Sequence, residues 1–235
     1  MKSADLPARV FRLARRPDPW EWPDWSFAGR DGTFGNRFDD HQGVYRVLYA
    51  STQRVATFVE CLAYFRPDLA VTAGLASIAA SDDDHDEPLG PGVVPRGWVD
   101  ARSVGSGTLV GNYVDLGHHE TLAELREALA ARVVHYAVHD LDAATIRLSA
   151  PRAFTQEISR HIFDSTADGV RTWNGIGYRS RHGDDLENWA ILEPAAPVDR
   201  SAEAFDDNDP DLVAALALHG LRLEGSPTRA TGLGS

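Results

Sequence analysis

Glu60 is a carboxylate set inside the apolar run Phe58-Val59-Glu60-Cys61-Leu62-Ala63-Tyr64-Phe65. A glutamate on a helix surface commonly has a basic residue three or four places away. Here those places hold Thr57, Ala56, Ala63 and Tyr64. Either Glu60 lies on a solvated edge of its helix, or a group distant in sequence must compensate it, because an unpaired buried carboxylate is costly. Arg37 is the second candidate, carried by the loop Gly35-Asn36-Arg37-Phe38, and Arg12 the third, within an early alternating segment. An arginine in such a strand is commonly solvent-facing. Ser180, Arg181 and His182 form a polar cluster after Gly175-Ile176-Gly177-Tyr178, and strand ends often carry sites. Ser180 and His182 stand too close in sequence to read as a serine-hydrolase pair, and no GxSxG elbow is present.

These groups need elements to hold them. Apolar, β-branched and aromatic residues predict a strand over 44–50, with Ser51 as the N-cap of a following helix that runs to Phe65. Val55, Phe58, Val59, Leu62 and Phe65 form that helix's core face. A first strand is expected over 8–14. Residues 16–34 read as an irregular connection whose three tryptophans should pack on something. Gly29, Gly32 and Gly35 match neither a P-loop nor a dinucleotide fingerprint. The segment 68–80 is ambiguous, and 81–87 is an acidic tract best read as a solvated loop. Further strands are expected within 98–110, at 175–178 and at 187–192. Helices are expected over 121–135, 152–163 and 211–218, with an acidic connector after Pro194 and a disordered tail at 226–235.

At 235 residues, with 43% hydrophobic and 25% charged residues, the chain fits one large globular domain. It contains no apolar run of membrane-spanning length and no hydrophobic signal core, which makes the cytoplasm the expected location. The net charge of −12 argues against a duplex-binding surface, although local basic pockets remain possible. Lys2 is the one lysine among 23 basic residues, so no lysine nucleophile is expected in the core. Cys61 is the single cysteine, which excludes an intramolecular disulfide and a cysteine metal cluster, and its apolar setting reads as an inert buried thiol. His118, His119 and Glu120, with His135 and His139, invite a metal reading. The metalloprotease pattern is absent, and no metal is expected.

Taken in order, Phe11-Arg12, Gly35-Asn36-Arg37-Phe38, Leu48-Tyr49-Ala50-Ser51, Glu60 eleven residues after Tyr49, and Gly175-Ile176-Gly177-Tyr178-Arg179-Ser180 resemble the ordered motifs of the RES-domain family. The resemblance spans about residues 8–192. Phe11, Asn36, Phe38 and Asp39 depart from the usual Tyr, Gly, Trp and Asn, and the stretch 67–118 and the extension after 194 look longer than a compact member needs. Residues 1–225 would then form a single RES domain.

The resemblance implies an α+β, ADP-ribosyltransferase-like fold, with small curved sheets around a cleft and flanking helices. It implies a toxin-like enzyme that consumes NAD by hydrolysis or phosphorolysis, or ADP-ribosylates a protein, and a helix-turn-helix antitoxin as partner. Cleaving the nicotinamide–ribose bond builds positive charge on the ribose, which Glu60 would stabilise. Arg12 and Arg37 would hold the pyrophosphate and could supply the counter-charge that Glu60 lacks in its own helix. Tyr49 would offer a flat face to nicotinamide, and Ser180 would orient substrate or Glu60. Inorganic phosphate, if it is the acceptor, would need a second anion site, for which Arg181 and His182 are candidates. A degenerate, non-enzymatic binding module is the alternative outside catalysis.

Overall fold

The structure, a computed structural model, describes residues 1–67, 92–148 and 151–226. The ambiguous segment 68–80, the acidic tract 81–87 and residues 227–235 of the tail lie outside the described residues.

Seven strands form the main sheet: β1 (Val10–Arg15), β2 (Val47–Ser51), β4 (Arg102–Thr108), β5 (Tyr113–Asp115), β8 (Gly175–Arg179), β9 (Glu187–Leu192) and β10 (Val198–Glu203). Their order is β10-β4-β1-β2-β9-β8-β5. All neighbours run antiparallel except β5 and β8. The short strands β3 (Val93–Val94) and β11 (Arg222–Leu223) pair with each other, as do β6 (Thr166–Ala167) and β7 (Val170–Arg171). The fold is α+β, as expected.

One join in the sheet is weak. β1 pairs with β4 along its whole length, but with β2 through the single pair Phe11↔Ser51. Beyond that pair the strands part, so the sheet is a three-stranded and a four-stranded half meeting at one point. The side chain of Arg12 crosses the opening. Its Nε donates to Pro19 O at 2.7 Å and its Nη1 to Tyr49 O at 2.9 Å.

Helix α1 (Arg54–Leu62) follows β2 and buries Ala56, Thr57, Phe58, Val59 and Leu62. The predicted helix over 51–65 is thus shorter, and a single 3-10 turn, Ala63–Phe65, continues it. Its core face packs with Leu13, Val104, Leu212 and Leu216. Leu212 and Leu216 belong to the last of the seven described helices, α7 (Pro210–His219), whose N-cap Asp209 accepts from the amides of Asp211 and Leu212 and which ends at the left-handed Gly220. Arg54 ties the two helices through Asp209 and Asp211, each at 2.7 Å.

The other helices are α2 (Arg96–Asp100), α3 (His119–Ala128), α4 (Ala130–His135), α5 (Ala143–Leu148) and α6 (Arg152–Asp164). Phe154, Ile158 and Ile162 of α6 meet Phe38, Tyr45, Ile176 and Leu192 in a second core. A third holds Trp20, Leu48, Tyr113, Trp189 and Ile191. The tryptophan-rich connection does pack: Trp20 is buried, and its indole donates to Ser106 O at 3.2 Å. This contact needs a glycine opposite, since a Cβ at Gly105 would stand 2.6 Å from Trp20 Nε1.

Several elements differ from the sequence reading. The strand expected from residue 44 starts at Val47, because the Asp40 carboxylate takes the Val44 amide into a turn and leaves that side chain exposed. The helix expected over 121–135 is two, parted where Leu129 leaves helical dihedrals while staying in the core. The start of the 98–110 segment is helix α2, entered from Pro95, and only its later part is strand. The acidic connector contains β10, every residue of which is exposed. It contributes main-chain hydrogen bonds instead of burial and so has no hydrophobic alternation to reveal it.

Candidate active site

The opening between β1 and β2 is the wall of a cleft of about 510 Å³. Arg12, Arg37, Tyr49 and Glu60 line it, and Arg152, Tyr178, Arg181 and Asn188 join them. Ser180, only 1% exposed, lies behind Glu60 instead of on the cleft surface. Four of the five residues selected from sequence therefore face one space, and the fifth holds one of the four.

The partners of Glu60 are neutral. Its Oε1 accepts from Ser180 Oγ at 2.6 Å and from Asn188 Nδ2 at 2.7 Å. Oε2 has no partner among the described residues. Ser180 Oγ in turn accepts from the His182 amide at 2.9 Å. On the other side, Ser51 Oγ donates to Asn188 Oδ1 at 2.6 Å. Two expectations are corrected here. Ser51 is not the helix cap: the N-cap is Gln53, without a side-chain hydrogen bond, and the Ser51 hydroxyl turns to Asn188 across the sheet. Nor does Arg12 or Arg37 form an ion pair with Glu60, although both line the cleft with it. The Arg12 guanidinium is committed to two main-chain carbonyls, and Arg37 Nη2 donates to Arg147 O at 3.2 Å.

The loop carrying Arg37 is fastened at both ends. Gly35 enters it at φ +76°, a conformation that side-chain-bearing residues rarely adopt. Asp39 Oδ2 accepts from the Asn36 amide and from Asn36 Nδ2, both at 2.7 Å, and Oδ1 accepts from Tyr49 OH at 2.8 Å. From outside, Thr155 Oγ1 donates to Arg37 O, Gln156 Nε2 to Asn36 O and Ser159 Oγ to Phe38 O, all from α6. The Arg37 guanidinium is left facing the aromatic ring of Tyr178 at 5.3 Å, with Nη1 buried and without a partner among the described residues.

Burial raises the Asp39 carboxyl above its ordinary range, against the lowering effect of its three hydrogen bonds. A raised native pKa means that the folded protein binds the proton more tightly, so Asp39 contributes stability at acid pH that is lost as pH climbs through the raised value. Asp39→Asn should remove this dependence. The difference in thermal midpoint, wild type minus variant, should shrink or turn negative as pH rises from the ordinary aspartate range through that window. A flat difference would show that Asp39 titrates normally.

Burial sets the other groups. The Tyr49 phenol is pushed well above its usual value, first by desolvation and then by Asp39, so its hydroxyl stays a hydrogen-bond donor to that carboxylate. The Cys61 thiol, half-buried and lining the cleft instead of fully buried as expected, is pushed up to about 11 by desolvation, which keeps it protonated. His182 is lowered by desolvation, against the pull of Glu60. It does not line the main cleft. With Ser180, Arg181 and Asp184 it lines an adjoining pocket of about 420 Å³. Of the phosphate candidates, only Arg181 reaches both spaces.

Sequence reasoning missed Asn188 and Arg152. Asn188 carried a readable signal: it is a polar amide in the apolar strand run Trp189-Ala190-Ile191-Leu192, misplaced as Glu60 is. Arg152 opens an amphipathic helix like any surface arginine and carried none. It reaches the cleft because α6 packs on the Arg37 loop, where its Nη1 donates to Gly35 O at 3.1 Å.

A family model described as RES domain matches residues 9–213. The chain belongs to the RES-domain family. No curated protein matches it. RES-family membership supports a toxin-like, NAD-related domain with an enzymatic role, and associates it with toxin–antitoxin systems. Among the described residues, no helix of this RES domain is long and apolar enough to cross a membrane. The histidines of the metal reading do not line the cleft. His118, His119 and Glu120 bring their ligand atoms within 4.8 Å of one another at the start of α3, and His135 and His139 do not join them.

Proposed function

We propose that this protein cleaves the nicotinamide–ribose bond of NAD, with water or inorganic phosphate as acceptor. The observation that carries the reading is the charge pattern of the cleft. Arg12, Arg37, Arg152 and Arg181 line it with Glu60, and among the described residues none of the four arginines has a carboxylate within 4.0 Å. In a chain of net charge −12, four arginines without ion pairs around one carboxylate favour an anionic substrate on which positive charge develops locally.

A dinucleotide is such a substrate. Its pyrophosphate meets the guanidinium donors that line the cleft, Arg37 among them. Tyr49 and Tyr178 offer aromatic surface to the nicotinamide. As the glycosidic bond breaks, its electron pair leaves with nicotinamide and the ribose becomes oxocarbenium-like. The carboxylate of Glu60, with Oε2 free of partners among the described residues, stabilises that charge. Water then gives ADP-ribose and a proton, whereas phosphate gives a phosphorylated ADP-ribose. Arg181, shared between the cleft and the pocket behind it, is the group that would seat phosphate. The reading places the protein in the cytoplasm with a helix-turn-helix antitoxin as partner.

Incubation with labelled NAD, with and without phosphate, tests this. Free nicotinamide with ADP-ribose supports hydrolysis, and a phosphate-dependent second product supports phosphorolysis. Label fixed to protein would make the activity ADP-ribosyl transfer to a protein. Absence of nicotinamide release would leave a binding module and overturn the proposal.

A further inference from the structure

We propose that Asn188 is the positioning residue that holds the Glu60 carboxylate for reaction, and that Ser51 anchors the other end of its amide. The inference rests on the NAD-cleavage reading for its effect on rate, but not for its effect on Glu60 itself. Asn188 is 1% exposed, and its amide is clamped between Glu60 Oε1 at 2.7 Å and Ser51 Oγ at 2.6 Å. A carboxylate can only accept, so the amide nitrogen must face Glu60. The amide oxygen is thereby turned to Ser51, whose hydroxyl donates to it.

The clamp is built on rigid elements. Ser51 and Asn188 are direct cross-strand partners of β2 and β9, in the interior of the sheet, at the residue where β1 leaves β2. Glu60 stands on α1, and its other donor, Ser180, follows β8. Both donors meet the same oxygen, which fixes the plane of the carboxylate and leaves Oε2 for the cleft. Both are also neutral. An arginine in the same place would orient Glu60 equally well but would cancel the charge that a developing ribose cation needs. Titratable groups that feel Glu60 include Tyr178, Cys61 and His182, and the described charged groups that line the cleft with it are the four arginines.

Asn188→Asp keeps the shape and replaces the donor by a second carboxylate against Glu60. Two carboxylates sharing a site cannot both ionise freely, so the titration of Glu60 should move upward relative to wild type. At neutral pH, kcat for nicotinamide release should fall about tenfold or more, with little change in KM for NAD. The acid limb of its pH profile should move up by about one unit. Ser51→Ala should lower kcat by about two- to tenfold, because the amide loses one anchor but keeps the other. Glu60 is followed independently by ¹³C NMR of carboxyl-labelled glutamate, assigned with Glu60→Gln. A Glu60 that titrates in Asn188→Asp as it does in wild type overturns the proposal. If wild type releases no nicotinamide, the NAD reading fails, while the NMR titration still decides this one. Should the Asp variant not fold, Asn188→Ala removes the donor without adding charge. A shifted Glu60 titration supports the assignment and an unshifted one overturns it.

Discussion

Glu60→Gln is expected to lower nicotinamide release by about a hundred- to a thousandfold while leaving the fold intact. The loss is that of one electrostatic group aimed at a developing charge in a partly dry site, about 3–4 kcal/mol. The fold survives for a reason visible in the hydrogen bonds. Both protein donors, Ser180 Oγ and Asn188 Nδ2, meet one oxygen of Glu60. The glutamine carbonyl can accept both, and its amide nitrogen takes the place of Oε2, where no described residue offers a partner. Thermal midpoint and nicotinamide release are to be measured together. A Gln variant with wild-type turnover would remove Glu60 from the mechanism. A large drop in midpoint, with activity per folded molecule retained, would make it a structural residue.

Arg37→Ala is expected to weaken NAD binding by about ten- to a hundredfold, the cost of losing charge-assisted hydrogen bonds to phosphate. Stability should change little, because the loop is fastened by several groups besides the one hydrogen bond from the guanidinium to Arg147 O. Asp39 grips Asn36 and Tyr49, and α6 holds the carbonyls of Asn36, Arg37 and Phe38. The substitution also removes a buried nitrogen that has no partner among the described residues. Arg37→Lys should fall between the two, since lysine keeps the charge but not the planar fork. Calorimetric titration with NAD and with ADP-ribose checks both variants. Equal affinities in wild type and Arg37→Ala would take the pyrophosphate away from this arginine.

The two substitutions test different links in one site. On the proposed reading, Glu60 acts on a charge that exists only during reaction, so its loss should appear in kcat. Arg37 meets a charge present throughout, so its loss should appear in affinity.

From the residues alone, the α+β class, the strand at 187–192, the helix over 152–163 and the helix carrying Glu60 could all be read. Each is written in local periodicity, the alternation or three-to-four spacing that burial of one face imposes. Glu60 was legible because a carboxylate without a basic neighbour in an apolar helix face violates that periodicity, and Arg37 because it sits in a motif with a fixed place in an ordered series. What partners these groups take was not legible. Ser51 stands where a helix cap is expected, yet it lies 137 positions from Asn188, the residue it bonds. Glu60 finds Ser180 and Asn188 at separations of 120 and 128. Contacts of that range depend on strand register, and the sequence of one strand does not state its register against another. The edge strand β10 and the point where β1 parts from β2 belong to the same class. Both are set by which main-chain groups find partners, and main-chain groups are alike in every residue but proline. The sequence by itself therefore marked Glu60 and Arg37 as residues that could do chemistry. The tertiary structure decided that Glu60 is held by neutral donors, that Arg12 spans a split sheet, and that four arginines face one cleft.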